Sequence, residues 1–277
     1  MNAELAIKLE LVAARIRGLE SVLVAYSGGV DSALVLEVAH QVLGPEATGV
    51  IASSPSLPAA ELDAALLLAA ARGVDVTVLQ TAEVDLEGYR RNGPDRCYFC
   101  KTELYGELAA LASKRGVSAL LDGFNRDDRA DWRPGRKAAT ELGVISPLDE
   151  AGIGKAEVRV AARELGLANW DKPEAACLSS RVPYGTLIEP SLLSRIEQAE
   201  VVLHDEGFRQ ARVRHGGASA VIEVEVEAIP RLMEAERLAR VSGRLADLGY
   251  RDVRVDPGGY RKGNLNERLP AAVTDGA

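Results

Sequence analysis

The chain has 277 residues, room for one large and one small domain, and its 47% hydrophobic and 27% charged residues suit packed cores, which excludes a disordered or collagen-like polymer. Lysine and arginine number 33 against 41 aspartate and glutamate, so a net charge of −8 offers no overall grip on a nucleic-acid backbone. Three cysteines, Cys97, Cys100 and Cys177, cannot pair completely within one chain, which excludes a disulfide scaffold; the charged M-N-A-E-L-A-I-K-L-E start and the lack of any long uncharged apolar run lead us to expect a reducing cytoplasm and no membrane.

Leu5, Leu9, Val12 and Ile16 recur at helical spacing, predicting an amphipathic helix over 3–17 that ends at Gly18. The apolar run S-V-L-V-A-Y, 21–26, predicts a strand, followed by S-G-G-V-D-S at 27–32 and a helix over 33–43. The alternation continues with strands at 47–52, 74–79 and 118–122 and helices at 59–72 and 98–115, the grammar of a parallel sheet covered by helices. The charged stretch N-R-D-D-R-A-D-W-R-P-G-R-K, 125–137, reads as a surface loop. A short helix to Leu142, a buried V-I-S-P-L at 144–148 and a helix over 155–165 follow. W-D-K-P-E-A-A-C-L-S-S-R-V-P-Y-G, 170–185, has two prolines and no clean period, and reads as a structured connection. Beyond it come helices at 190–206 and 229–248 and strands at 210–215, 221–226 and 252–256, of which the last two alternate apolar and charged residues as in a sheet with one wet face. The expected organisation is a nucleotide-binding α/β domain over 1–169, a cysteine-bearing linker over 170–186 and a small α+β domain over 187–277 ending in a frayed tail, 271–277.

The hexamer S-G-G-V-D-S is the strongest local signal. Adjacent glycines let the backbone curl with its N–H groups inward, and the following helix adds the positive end of its dipole, so a phosphate fits there. Neither G-x-x-x-x-G-K-S/T nor G-x-G-x-x-G is present. Ser27 and Ser32 have hydroxyls to donate to phosphate oxygens, while Asp31 suits either a magnesium ion or a helix-start amide; an ordinary tight turn capped by Asp31 is the bland alternative. The hexamer, preceded by V-A-Y, resembles the pyrophosphate-loop (PP-loop) family of ATP enzymes. That family cleaves ATP between its α and β phosphates, adenylates a carboxylate or carbonyl oxygen, and lets a nitrogen or sulfur nucleophile displace AMP. The resemblance implies ATP on Ser27, Gly28, Gly29, Asp31 and Ser32, in a doubly wound parallel sheet of the adenine nucleotide alpha hydrolase-like kind, at the carboxyl ends of the strands. S-P-L at 146–148 with K-A-E-V-R at 155–159 looks like another stretch of that family, against the alternative of a helix with solvated charges.

Cys97-Tyr-Phe-Cys100 is a C-x-x-C, with Cys177 far downstream; spacing alone leaves open a redox pair, half of a zinc site or iron–sulfur ligands. The motif begins a predicted helix and is flanked by Arg96 and Lys101, both favourable to thiolates. Three thiolates suit a cubane cluster with one open iron. Zinc would need a fourth ligand, and His40, His204 and His215 do not neighbour these motifs in sequence; buried inert cysteines are the alternative.

G-P-D-R-C-Y-F-C-K at 93–101, L-L-D-G at 120–123, D-W-R-P-G-R-K-A at 131–138, C-L-S-S-R-V-P-Y-G at 177–185 and A-R-V-R-H at 211–215 resemble the LarE group over nearly the whole length. The resemblance implies an ATP-dependent sulfur transferase that adenylates and thiolates the carboxylates of pyridinium-3,5-biscarboxylic acid mononucleotide on the way to the nickel-pincer nucleotide. It implies either sacrifice of a cysteine, leaving dehydroalanine, or a [4Fe–4S] cluster on three cysteines that delivers sulfide. All three are present here, and Cys177 stands one place later relative to S-S-R than the sacrificial residue does, which favours the cluster. For the anionic substrate, Arg212 and Arg214 lie two apart on one strand face as a forked phosphate grip, and Ser180 and Arg181 stand beside Cys177 to orient the acyl-adenylate. Arg133, Arg136 and Lys137 are further cations or simply a solvated loop. Homo-oligomers and other cofactor-biosynthesis proteins are the implied partners. A tRNA thiolase would need a broad basic surface, an ammonia-using amide synthetase would need no cysteines, and a nucleotide sensor would never release pyrophosphate.

Overall fold

Helices and strands fall close to where periodicity puts them in the computed structural model, which describes residues 1–130, 135–173 and 176–261; Arg133 and the expected tail at 271–277 lie outside the described residues. In chain order come α1 (Ala3–Arg17), β1 (Val22–Ala25), α2 (Val30–Leu43), β2 (Ala47–Ser53), α3 (Ala59–Ala71), β3 (Val76–Gln80) and a short α4 (Glu87–Arg90). Next are α5 (Arg96–Arg115), β4 (Ala119–Leu121), α6 (Gly135–Glu141), the single turn α7 (Pro147–Glu150) and α8 (Lys155–Glu164). The chain continues with α9 (Pro190–Asp205), β5 (Ala211–Gly216), β6 (Ser219–Val224), a short α10 (Ile229–Leu232), α11 (Ala235–Asp247) and β7 (Asp252–Val255). Contacts divide it into one unit of 1–83 with 95–175 and a second of 84–94 with the residues from 176 onward. The excursion 84–94, which chain order alone assigns to the first domain, thus packs with the second unit.

In the first unit the strands are parallel in the order β3-β2-β1-β4, and Ile145 bridges in parallel to Leu121 beyond β4. Val22 and Val24 face an apolar layer containing Val12, Ile16, Leu34 and Ala161, while Leu23 between them faces a second layer containing Tyr105, Leu108 and Ala139. Neither face is wet, which is why β1 reads as an unbroken apolar run; each such side chain contributes about 1.5–3 kcal/mol on burial. This is the doubly wound α/β arrangement. The chain runs from β1 outward to β3 and returns to β4 on the other side, so the order reverses between β1 and β4, where such sheets open a crevice at their carboxyl ends.

Two local expectations change. Helix α2 starts at Val30 rather than at residue 33, because Ala33 N–H already bonds to the Gly29 carbonyl (3.0 Å) and the helix grows straight out of the glycine loop. The stretch read as a solvated loop is partly interior: Asn125 is 1% exposed, Arg126–Ala130 forms a 3-10 turn, and Asn125 N–H donates to Asp128 Oδ2 (3.1 Å).

On α2, buried Glu37 accepts from Arg72 Nε (2.9 Å) and Gln41 Nε2 (2.7 Å). Burial alone would push this carboxyl up, but the bonds from Arg72 and Gln41 outweigh it and hold it below 4.5. A depressed carboxyl contributes stability that is fully present above its unfolded value and is lost as pH falls through the folded one. Glu37→Gln is therefore expected to lower the urea midpoint at neutral pH and to flatten the acid loss; an unchanged slope between about pH 3 and 7 would refute this linkage.

In the second unit β5 pairs antiparallel with β6 and β6 parallel with β7. Leu203, Phe208, Val213, Ile222, Leu245 and Tyr250 fill the core between this sheet and helices α9 and α11. The single helix expected over 229–248 is broken at Met233 and Glu234, where the backbone turns extended (Glu234 ψ 126°) and Arg237 NH1 caps the Arg231 carbonyl (3.0 Å). The other face of the sheet is also drier than its alternating charges suggest, since Glu223 on β6 is 1% exposed.

Candidate active site

The glycine loop is held rigid from both sides. Gly28 has φ +69°, and a Cβ on it would lie 2.5 Å from the Ala65 Cβ on α3. Tyr26 Oη donates to the Ala65 carbonyl (2.9 Å), joining the strand end to the same helix. Within the loop, Ser27 N–H donates to Ser32 Oγ (3.1 Å), and the Ser32 hydroxyl donates to the Gly29 carbonyl (3.2 Å). Among the described residues no side chain caps α2, so its first amides remain available for an anion beside the Ser27 and Ser32 hydroxyls. From the far side of the crevice, Gly123 comes so near that a Cβ on it would lie 2.6 Å from Ser32 N.

Asp31 neither caps the helix nor stands open to a metal. Its Oδ2 lies 2.5 Å from Lys155 Nζ, and its Oδ1 accepts from Asn125 Nδ2 (3.2 Å). A magnesium ion there would have to displace an ammonium group, so the donor set does not fit the expected metal. What the pair provides is a fixed cation at the mouth of the loop, because Lys155 is also tied through its N–H to Asp127 Oδ2 (2.8 Å).

Past β4, Asp122 is buried and accepts from Ser146 Oγ (2.6 Å), Phe124 N (3.1 Å) and Tyr105 Oη (3.2 Å). Burial pushes the Tyr105 phenol up to about 12, so it remains a neutral donor. Arg136 donates to Ser146 Oγ (2.6 Å) and lies 4.4 Å over the Phe124 ring, which brings it to this carboxyl edge of the sheet; exposed Lys137 instead rests over Tyr98 and near Glu141.

Cys97 and Cys100 stand one turn apart at the start of α5, the first exposed and the second half-buried. Lys101 beside them is held above its ordinary value, first by Tyr105, against the cost of burial, and further by Cys100, Asp122 and Cys97. Cys177 belongs to the second unit and precedes the 3-10 turn Leu178–Arg181. Among the described residues, no three His, Cys, Asp or Glu side chains gather closely enough to hold a metal ion.

Arg181, expected to face substrate, points inward: it is 2% exposed, donates to both oxygens of Glu200 (2.8 and 2.9 Å), and holds the carbonyls of Ala176 (2.6 Å) and Cys177 (2.9 Å). Ser180 is part of the same brace, its Oγ accepting from Arg181 (3.0 Å) and its carbonyl from Arg214 (2.7 Å). Arg212 and Arg214 do share one face of β5, but the Arg214 fork is spent on Glu223 (3.0 and 2.9 Å). Arg212 donates to the Ala211 carbonyl (3.0 Å) and lies 5.5 Å over the Tyr260 ring. Burial and the neighbouring Arg181 charge lower its basicity, a penalty that an incoming anion would relieve.

No family model matches the chain. It is 38% identical over 271 residues to the pyridinium-3,5-bisthiocarboxylic acid mononucleotide synthase of Lactiplantibacillus plantarum, covering 98% of each chain. The chain belongs to this synthase family, the LarE group. It is also 43% identical over 251 residues to slr1717, an uncharacterized protein of Synechocystis, covering 91% of this chain and 94% of the other. Similarity to the NH3-dependent NAD+ synthetase of Methanococcoides burtonii is 31% over 159 residues, 54% of this chain and 59% of that one. LarE membership makes the chain an ATP-dependent sulfur transferase on a PP-loop α/β fold. Among its described residues no helix is long and apolar enough to cross a membrane.

Sequence reasoning on this LarE chain singles out K-A-E-V-R at 155–159 as a family-like stretch but assigns no role to the side chains that organise the loop from afar. Lys155, Asn125 and Asn169 come from three separate segments, and Asn169 Nδ2 donates to the Gly28 carbonyl (3.1 Å). The usable signals are polar residues directly after an apolar strand, as in L-L-D-G-F-N, and a lysine opening a helix after G-I-G.

Proposed function

We propose that this LarE-family chain uses ATP to adenylate, and then thiolates, the carboxylates of pyridinium-3,5-biscarboxylic acid mononucleotide. The observation that carries the reading is the uncapped start of α2, behind Gly28 and Gly29, at the strand-order reversal and with the Asp31–Lys155 pair beside it. The triphosphate lies against the loop amides and the Ser27 and Ser32 hydroxyls. A substrate carboxylate attacks the α-phosphorus, the bond to the β-phosphate oxygen breaks, and pyrophosphate leaves. Charge grows on the α-phosphate oxygens in that step. Preorganised amides and the Lys155 ammonium stabilise it, each such donor being worth about 10²–10³ in rate.

Arg212 binds the substrate phosphate, and Arg214, braced on Glu223, keeps the strand edge and the Ser180 carbonyl in register. The inward grip of Arg181 on the Ala176 and Cys177 carbonyls fixes the turn that carries the Cys177 thiol. Cys97, Cys100 and Cys177 are thiols, the donor chemistry that iron–sulfur clusters take, and would hold one only if brought closer together than they stand in this structure. A [4Fe–4S] cluster held there would supply sulfide. Sulfur addition to the acyl-adenylate carbonyl expels AMP and leaves a thiocarboxylate. The reading extends to a homo-oligomer in a reducing cytoplasm that hands its product to other proteins of cofactor synthesis.

Anaerobically purified protein is expected to contain iron and acid-labile sulfide and to release pyrophosphate from ATP only with the biscarboxylate present. Absence of both elements, together with loss of one hydrogen sulfide in mass at Cys177 after reaction, would replace the cluster with sacrifice of that cysteine. Pyrophosphate release that never depends on the biscarboxylate would overturn the substrate.

A further inference from the structure

We propose that Asn169 is the positioning residue that aims the phosphate-binding peptide of the glycine loop, an inference that rests on the ATP phosphates occupying residues 27–32. Asn169 lies just after α8 and is 8% exposed. Its Nδ2 donates to the Gly28 carbonyl at 3.1 Å. The peptide joining Gly28 to Gly29 is trans, so its carbonyl and its N–H point to opposite sides. Holding the carbonyl towards Asn169 therefore turns the Gly29 N–H the other way, where it meets the Ser27 hydroxyl at 3.4 Å, a long bond that an anion readily displaces. Two successive glycines leave that peptide free to rotate, and the opposite orientation would present a carbonyl oxygen to the phosphates. Something outside the loop has to choose.

A second observation separates this role from packing. Asn169 Oδ1 is buried and has no hydrogen-bond partner among the described residues. The amide cannot be reversed to relieve it, because its oxygen would then face the Gly28 carbonyl. A leucine of similar shape would avoid this unsatisfied acceptor altogether, so the donor half of the amide is what the site retains. The turn is anchored to act as a fixed point. Lys172 N–H donates to the Asn169 carbonyl (3.0 Å), Lys172 Nζ lies 2.6 Å from Glu61 on α3, and Arg159 on α8 holds the Lys172 carbonyl (3.1 Å). Helix α3 also supplies Ala65, the wall behind Gly28.

The test compares the full chain with Asn169→Leu and Asn169→Asp, measuring affinity for ATP and for adenosine, together with the melting temperature. Asn169→Leu is expected to melt no lower than the wild type, to bind ATP about 10- to 100-fold more weakly, and to bind adenosine unchanged. Asn169→Asp should lose still more of the ATP-over-adenosine preference, since its carboxylate repels the Gly28 carbonyl and favours the rotated peptide. If Asn169→Leu melts lower, that preference ratio in both variants decides. An unchanged ratio, or a parallel loss of ATP and adenosine binding, overturns the role. A Ser27→Ala/Ser32→Ala chain tests the reading beneath it. If that chain keeps the wild-type preference, the phosphates do not lie on the loop; if it loses the preference while Asn169→Leu keeps it, only the role of Asn169 fails.

Discussion

Gly28→Ala is expected to leave a folded protein that releases pyrophosphate at least about 10²-fold more slowly than the wild type. Two costs meet at this residue. At φ +69° a Cβ adds roughly 1–2 kcal/mol of left-handed strain, and here it would also lie 2.5 Å from the Ala65 Cβ and 3.2 Å from its Cα. Helix α3 carries those atoms on its backbone, so no side-chain rotation clears the space. The cheaper escape is for the loop to leave the left-handed region, which redirects the Gly29 amide and spoils the cradle. Adding Ala65→Gly should remove the 2.5 Å clash but neither the 3.2 Å approach to the Cα nor the strain, restoring part of the nucleotide affinity. ATP titration and pyrophosphate release check both variants, and a Gly28→Ala enzyme with wild-type kcat/KM would remove the loop from the mechanism.

Glu200→Ala is expected to destabilise the second unit by about 3–5 kcal/mol, the range for leaving one partner of a buried pair uncompensated. Arg181 is 2% exposed and Glu200 5%, so no water takes over the lost contacts. Glu200 also accepts from the Val213 N–H (3.0 Å), which would lose its partner in the core strand β5. Replacing the pair together, as Arg181→Met with Glu200→Leu, should cost much less in denaturant unfolding, because no charge is stranded. The two changes separate stability from function, since the double variant also frees the Ala176 and Cys177 carbonyls and should raise the mobility of the Cys177 turn. A Glu200→Ala loss under about 1 kcal/mol would show that Arg181 finds solvent and that the brace is not structural.

The elements were legible because each follows from neighbours in the chain. Helix α1 repeats its apolar residues at helical spacing, and β1 is apolar throughout because helices cover both faces of the sheet. Where several physical tendencies compete, local reading failed: alternating charge on β6 suggested a wet face, yet Glu223 is buried against Arg214, and an acidic and basic stretch after β4 turned Asn125 inward. In the sequence Arg181, Arg212 and Arg214 all read as cations for an anionic substrate. Packing distinguishes an interior brace, a half-buried cation over the Tyr260 ring and an internally paired fork.

S-G-G-V-D-S carries its own geometry, since adjacent glycines and the onset of α2 are determined by the residues that occupy those six places. Its chemistry also depends on residues that chain distance hides. Lys155 reaches Asp31 across 124 positions and Asn169 reaches Gly28 across 141. Such pairings arise only once the sheet has taken the order β3-β2-β1-β4, which brings the end of β4 and the residues after it to the crevice beside β1. Periodicity records which face of an element is buried; the partner of a polar side chain is set by which elements become neighbours, and that is a property of the folded chain.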